Sequence, residues 1–165
     1  LKDAINDVAL LQIEENDFKG FNNLPYKITT ETEIGENVFT IGFPLNSIMG
    51  KNFKVNNGII SSNTGISDDV RHYQISVPLQ PGNSGGPLFN ENGDIIGITT
   101  SRLNGQAIGT SVQNVNYAIK SAYILNLINM LPDFDLPKGN DSLQGKDLKD
   151  KVKSLKNYVC LITVY

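Results

Sequence analysis

One serine in this chain stands where its hydroxyl could do covalent chemistry. Ser84 lies in Gln80-Pro81-Gly82-Asn83-Ser84-Gly85-Gly86-Pro87-Leu88, a stretch with three glycines and two prolines between the strand-like runs Tyr73–Pro78 and Asp94–Thr100. That composition suits neither a helix nor a regular strand, so the stretch reads as a sharp loop exposing one hydroxyl. Glycine before and after the serine admits backbone angles closed to other residues and lets a substrate approach without meeting a Cβ. N–H groups left free in such a turn can converge on one point as an anion-binding nest.

The other reactive side chains are few. His72 is the only histidine and stands twelve residues before Ser84, on the strand entering the loop. Cys160 is the only cysteine, so no internal disulfide can form and a disulfide-framed secreted scaffold is excluded. One histidine and one cysteine cannot make a structural or catalytic zinc set, and neither a metal nor a cofactor is expected. With 14 Lys and Arg against 17 Asp and Glu the net charge is −3. No basic cluster is interleaved with aromatics, so no nucleic-acid partner is expected. No apolar run approaches the length of a membrane span, and no charged leader with a small-residue cleavage site is visible. At 165 residues the chain has room for one domain or two small barrels sharing an interface, and could bury roughly 70% of its unfolded surface. The start at Leu1 rather than Met suggests a processed or excised segment.

The elements that would position the serine follow from periodicity. Asn6-Asp7-Val8-Ala9-Leu10-Leu11-Gln12-Ile13 is a short apolar run behind a turn-forming pair, as expected of a buried strand. Residues 14–37 are polar with apolar islands and read as a linker. Val38–Pro44 alternates into Gly and Pro, and Phe53–Ser62 predicts another strand with Gly58 as a bulge or close-approach point. Asn90-Glu91-Asn92-Gly93 is a hairpin signal between Leu88-Phe89 and Asp94–Thr100. A polar loop over 101–114 leads to the strand Val115–Ile119. Ser121–Leu131 then switches to helical spacing, with Ser121 as the expected N-cap. Strand, loop, hairpin and strand leave no room for the helix that a G-x-S-x-G elbow of an α/β-hydrolase requires. Past Pro132 a linker leads to a short charged helix with Leu148, Val152 and Leu155 on one face. Tyr158–Tyr165 closes the chain as a β-branched and aromatic strand expected to pair with a sheet.

Several of these segments carry a resemblance. Gly82-Asn83-Ser84-Gly85-Gly86-Pro87-Leu88 is similar to the nucleophile loop of trypsin-like serine proteases, in the bacterial HtrA/Deg branch. Asp7-Val8-Ala9-Leu10-Leu11 resembles the segment that carries the triad aspartate there. Val38–Pro44, Val55–Ser61 and Val115–Ile119 are similar to strands of HtrA proteins, and the resemblance runs from residue 1 to about 131. It implies an all-β fold, a trypsin-like double six-stranded Greek-key β-barrel with the first barrel incomplete, a helix after the second barrel, and a C-terminal helix-strand extension. Residues 1–34 would be the remainder of the first barrel and the inter-barrel linker. Residues 35–131 would form the second barrel, and 132–165 the linker, helix and terminal strand. The terminal strand either fills a vacancy in the first barrel or, as a helix-then-strand opening similar to that of HtrA protease domains, runs into another copy.

The function implied is that of a serine endopeptidase. Ser84 would be the nucleophile and Asp7 the orienter of the catalytic imidazole, with the N–H groups of Gly82 and Ser84 holding the oxyanion. Peptide or unfolded-protein substrate would lie along Ile98, Thr99, Thr100 and Ser101, with Gln80 at the pocket wall. The wall Val77-Pro78-Leu79-Gln80 has no acidic residue, which predicts a small or medium apolar P1 side chain rather than Lys or Arg. A bacterial and extracytoplasmic or periplasmic setting is favoured, with strand exchange or self-association through the incomplete barrel.

The family's general base should precede the aspartate, yet none of the six residues before Asp7 is histidine. For His72 to serve, it would have to fold back beside Ser84 and also reach Asp7, which a strand rising about 3.3 Å per residue disfavours. Three explanations stay open. The histidine-bearing segment lies outside these residues, or a second chain supplies it, or the chain is an inactive pseudoprotease that binds peptides.

Overall fold

The computed structural model describes residues 1–100, 115–132 and 134–163. The expected loop over 101–114, Ser101 within it, and Val164 and Tyr165 lie outside the described residues. In chain order the elements are β1 (Lys2–Asp3), β2 (Val8–Ala9), β3 (Asn23–Leu24), β4 (Asn37–Gly42), α1 (Asn46–Met49), β5 (Lys54–Ser62), β6 (His72–Ile75), β7 (Pro87–Asn90), β8 (Ile95–Thr100), β9 (Asn116–Lys120), α2 (Ser121–Asn129), β10 (Lys138–Gly139) and α3 (Leu148–Leu155). Strands β4, β5, β6, β9, β8 and β7, in that order, close into a six-stranded barrel. All of its pairs are antiparallel.

Period-2 alternation sorts side chains between two cores. Val38, Ile60, Tyr73, Ile75, Val77, Leu79, Leu88, Ile96 and Ala118 fill the barrel interior. Their neighbours Phe39, Ile41 and Phe89 point outward, where Leu143 and Leu155 cover them and Val152 and Val159 pack alongside. The chain beyond residue 132 is therefore built into the fold rather than trailing from it. Asp147 caps α3, its side chain accepting from the Asp150 N–H at 2.9 Å.

Two turns behave as their residues require. Asn90 Oδ1 accepts from the N–H groups of Asn92 and Asp94 at 3.0 and 2.9 Å, and Gly93 takes a φ of 86°. Gly58 is a close-approach point, since a Cβ there would lie 2.6 Å from the backbone nitrogen of Val77.

The N-terminal 34 residues make no second barrel. β1 pairs with β2, and β3 pairs in parallel with β10. The expected strand over Asn6–Ile13 shrinks to Val8–Ala9. Val8 is buried against Ile119 and Leu127, while Leu11 and Ile13 are 73% and 57% exposed. The run has the composition of a buried strand, but among the described residues it meets no second strand beyond β1. Two further expectations are corrected. Lys120, not Ser121, is the N-cap of α2; Ser121 is buried, and its hydroxyl donates to the Thr29 carbonyl at 2.6 Å. The segment after α3 is a single turn over Lys156–Tyr158 followed by irregular chain through residue 163, not a strand.

Candidate active site

The loop between β6 and β7 is held open by named bonds. Leu79 and Asn83 are buried while Gln80 and Ser84 are exposed, so the loop turns one side chain into the barrel and presents the serine outward. Gly82 and Gly85 adopt φ values of 97° and 86°, a region where a side chain is strained. At Gly82 there is also no room, because a Cβ would sit 2.7 Å from the Phe43 carbonyl oxygen.

Both ends of the loop are stapled. The Leu45 N–H donates to the Pro81 carbonyl at 2.8 Å, and the Asn83 N–H to that of Gln80 at 2.9 Å. The Gly85 N–H donates to the Thr99 carbonyl at 2.7 Å, and the Thr99 N–H to that of Gly86 at 2.8 Å. The Thr99 hydroxyl reaches the carbonyls of Asn83 at 2.5 Å and Gly86 at 3.1 Å. None of these bonds uses the N–H of Gly82 or of Ser84. Next to the serine in sequence, Asn83 is 1% exposed, and its side-chain amide has no hydrogen-bond partner among the described residues.

Ser84 opens onto a cleft of about 400 Å³. One wall is Gly42, Phe43, Gly82 and Ser84–Pro87; the other is the consecutive run Tyr158–Ile162. No residue of the N-terminal 34 lines it. Asp7 is exposed in the β1–β2 turn with a φ of 52°, away from those walls. The strand it precedes does reach the serine's surroundings indirectly, since Val8 belongs to the cluster against which Ile98 packs, one residue before Thr99.

Ile98 and Thr99 lie on a strand with partners on both sides rather than at an edge. β8 pairs with β9 from Gly97 to Thr100, and on its other side Ile98 faces Pro87 while Thr99 bonds Gly85 and Gly86. Thr100 pairs with Tyr117 on β9, and Ser101 lies outside the described residues. In the pocket wall Val77 and Leu79 point into the barrel core, leaving Pro78 and Gln80 at the surface.

His72 serves another site. It faces Ile119 across the β6–β9 pair, and its Nδ1 lies 3.2 Å from Asp69 Oδ2. The Arg71 guanidinium donates two bonds to the same carboxylate through Nε and a third through Nη2, at 2.9, 3.1 and 2.6 Å. These bonds, with the Arg71 N–H, hold the Asp69 carboxyl well below the usual carboxylate range. A depressed folded-state value stabilises the fold above the ordinary range and loses that contribution as pH falls through it. Asp69→Asn should therefore lower the melting temperature slightly at neutral pH, and the difference from the parent should shrink steadily below about pH 4, followed by thermal denaturation.

Sequence reasoning found the serine loop and missed the cleft's other wall. Residues 158–162 carry no motif, and they lie at Ser84 only because α3 packs on Phe39 and Phe89. The role of the Thr99 hydroxyl was equally hidden, since a threonine in a strand has no signature of its own. Among the described residues no group of three or more His, Cys, Asp or Glu could hold a metal ion, and no helix is long and apolar enough to cross a membrane.

A closed antiparallel barrel with a glycine-lined serine on the loop between two of its strands defines a class. Residues 2–98 match the family described as Trypsin-like peptidase domain, and the chain belongs to that family. It is similar to the serine protease Do-like HtrA of Lactobacillus helveticus, 31% identical over 135 residues that make up 79% of this chain and 32% of the relative. It is also similar to the probable periplasmic serine endoprotease DegP-like of Hahella chejuensis, at 34% over 135 residues, 79% of this chain and 26% of the relative. The crystal structure of the serine endoprotease from Yersinia pestis aligns with a TM-score of 0.58 and 29% identity, covering 77% of this chain and 40% of that one. The chain thus spans about a third or less of the length of these sequence relatives.

Proposed function

We propose that this chain carries the nucleophile half of a serine endopeptidase that cleaves peptide bonds through an acyl-enzyme on Ser84. The observation that carries the reading is the stapled loop, which exposes the Ser84 hydroxyl while leaving the Gly82 and Ser84 N–H groups outside its own hydrogen bonds. In the proposed reaction Ser84 Oγ attacks the scissile carbonyl and passes its proton to a histidine. The two N–H groups take the negative charge of the tetrahedral oxygen, each such donor contributing about 10²–10³ in rate. The histidine comes from outside these 165 residues, because His72 is engaged with Asp69.

Asp7 is the proposed orienter of that imidazole, reaching it once the strands completing the first barrel surround β2. Under this division residues 1–34 belong to the first barrel, 35–131 to the second, and 132–165 to the extension. The substrate is an extended or unfolded polypeptide, with Gln80, Thr100 and Ser101 as the proposed residues beside its P1 side chain. The similarity to a probable periplasmic endoprotease supports an extracytoplasmic setting.

Labelling the full-length protein with a fluorophosphonate probe tests the reading. We expect a label that disappears in Ser84→Ala, with mass spectrometry placing it on the Ser84 peptide. A folded full-length protein with no Ser84-dependent label would sink the hydrolase reading and leave a peptide-binding module.

A further inference from the structure

Residues Tyr158–Ile162 form one wall of the cleft whose other wall carries Ser84. The segment is firmly rooted at its start. Leu155 is fully buried, Val159 packs against the outer core, and the Tyr158 ring lies 5.2 Å from Phe21 and 5.6 Å from Tyr26. From there it changes character. Val159 is extended, with φ −117° and ψ 124°, and Leu161 and Ile162 are 41% and 63% exposed. Among the described residues, no backbone hydrogen bond joins 159–162 to any other part of the chain.

An anchored segment with unengaged N–H and C=O groups is a template for another extended chain. Its position limits what that chain can be. A polypeptide entering this cleft would meet Val159–Ile162 on one side, and on the other the Ser84 hydroxyl and the N–H groups of Gly82 and Ser84, which donate no backbone hydrogen bond among the described residues. Strand β8 offers no such edge at Ile98 or Thr99, whose backbone groups are taken up within the barrel.

We infer that Val159–Ile162 is a substrate-binding edge. An extended peptide adds to it as a strand, with apolar side chains against Val159, Leu161 and Phe43, and is thereby laid across Ser84. This assignment rests on the proposed role of Ser84 only for the direction in which the peptide runs, so binding can be read without hydrolysis.

The test uses the Ser84→Ala protein and a fluorescein-labelled decapeptide of alternating valine and lysine, with binding followed by fluorescence anisotropy. Leu161→Pro removes one N–H from the edge, and Leu161→Ala keeps it. Thermal melts of each variant check that the barrel is intact, and residue 161 lies beyond the buried anchor at Leu155. We expect Leu161→Pro to weaken binding at least tenfold, and at least threefold more than Leu161→Ala, which loses the apolar contact but keeps the N–H. Bound peptide should also slow alkylation of Cys160 by iodoacetamide, since that thiol is exposed on the same wall. A loss under tenfold in Leu161→Pro, or alkylation unaffected by saturating peptide, would overturn the assignment. So would a dimer, seen by sedimentation, that excludes the peptide, because a second copy would then be the occupant. Failure of fluorophosphonate labelling alongside the expected binding pattern would remove the hydrolase reading and leave this edge in place.

Discussion

Gly82→Ala is expected to slow fluorophosphonate labelling of Ser84 by a factor of about 10²–10³ while leaving the barrel folded. The glycine holds a φ of 97°, and an added Cβ would lie 2.7 Å from the Phe43 carbonyl oxygen and 3.3 Å from the Leu45 backbone nitrogen. Both contacts are backbone atoms that cannot swing aside as a flexible side chain would. The loop must therefore move, and the peptide plane that moves with it carries the Gly82 N–H, one of the two proposed oxyanion donors. Left-handed strain in a non-glycine residue costs about 1–2 kcal/mol, small beside the stability of a domain. Loss of labelling with a nearly unchanged melting temperature would show that the geometry of the loop matters. Unchanged labelling would remove the Gly82 N–H from the proposed mechanism.

The second large effect concerns the fold. Phe89→Ala should lower unfolding stability by about 3–5 kcal/mol, measured by urea denaturation. Phe89 is fully buried, stacks on Phe39 at 5.1 Å, and meets Tyr26 edge-on at 6.3 Å. Its neighbours come from β4, from the segment before the barrel and from the α3 region, so the ring joins three parts of the chain. The cavity left by truncation would loosen α3 and with it the cleft wall at 158–162. Phe89→Leu should cost far less, because most of the volume is kept. A loss below about 1 kcal/mol in Phe89→Ala would mean that the C-terminal extension does not depend on the outer core.

These two positions differ in how far the sequence reveals them. Gly82 is legible because a glycine between a proline and an asparagine, two residues before the serine, states its own backbone requirement. Phe89 is legible as a strand residue but not as the floor beneath α3, since alternation alone would place it on a solvent-facing surface. Ser121 departs from its local pattern for a related reason. A serine at the head of a helical pattern is a good cap in isolation, and here its hydroxyl goes instead to Thr29, 92 residues away in sequence. The Asn6–Ile13 run departs in the opposite sense. Its composition is that of a buried strand, yet burial needs neighbours, and β2 has only β1 beside it among the described residues.

The sequence by itself determined the local matters. It set the serine loop with its positive-φ glycines, the Asn-Gly hairpin after it, and the alternation that makes the barrel strands. Each depends on residues within a few positions of one another, where backbone sterics and side-chain period act directly. Only the tertiary structure decided what surrounds the serine: that Thr99 staples its loop, that Asp7 sits outside the cleft, and that Tyr158–Ile162 forms the opposite wall. Those relations join residues far apart along the chain. The last of them follows from which apolar face was left for α3 to cover, a question of area and fit that no local pattern encodes.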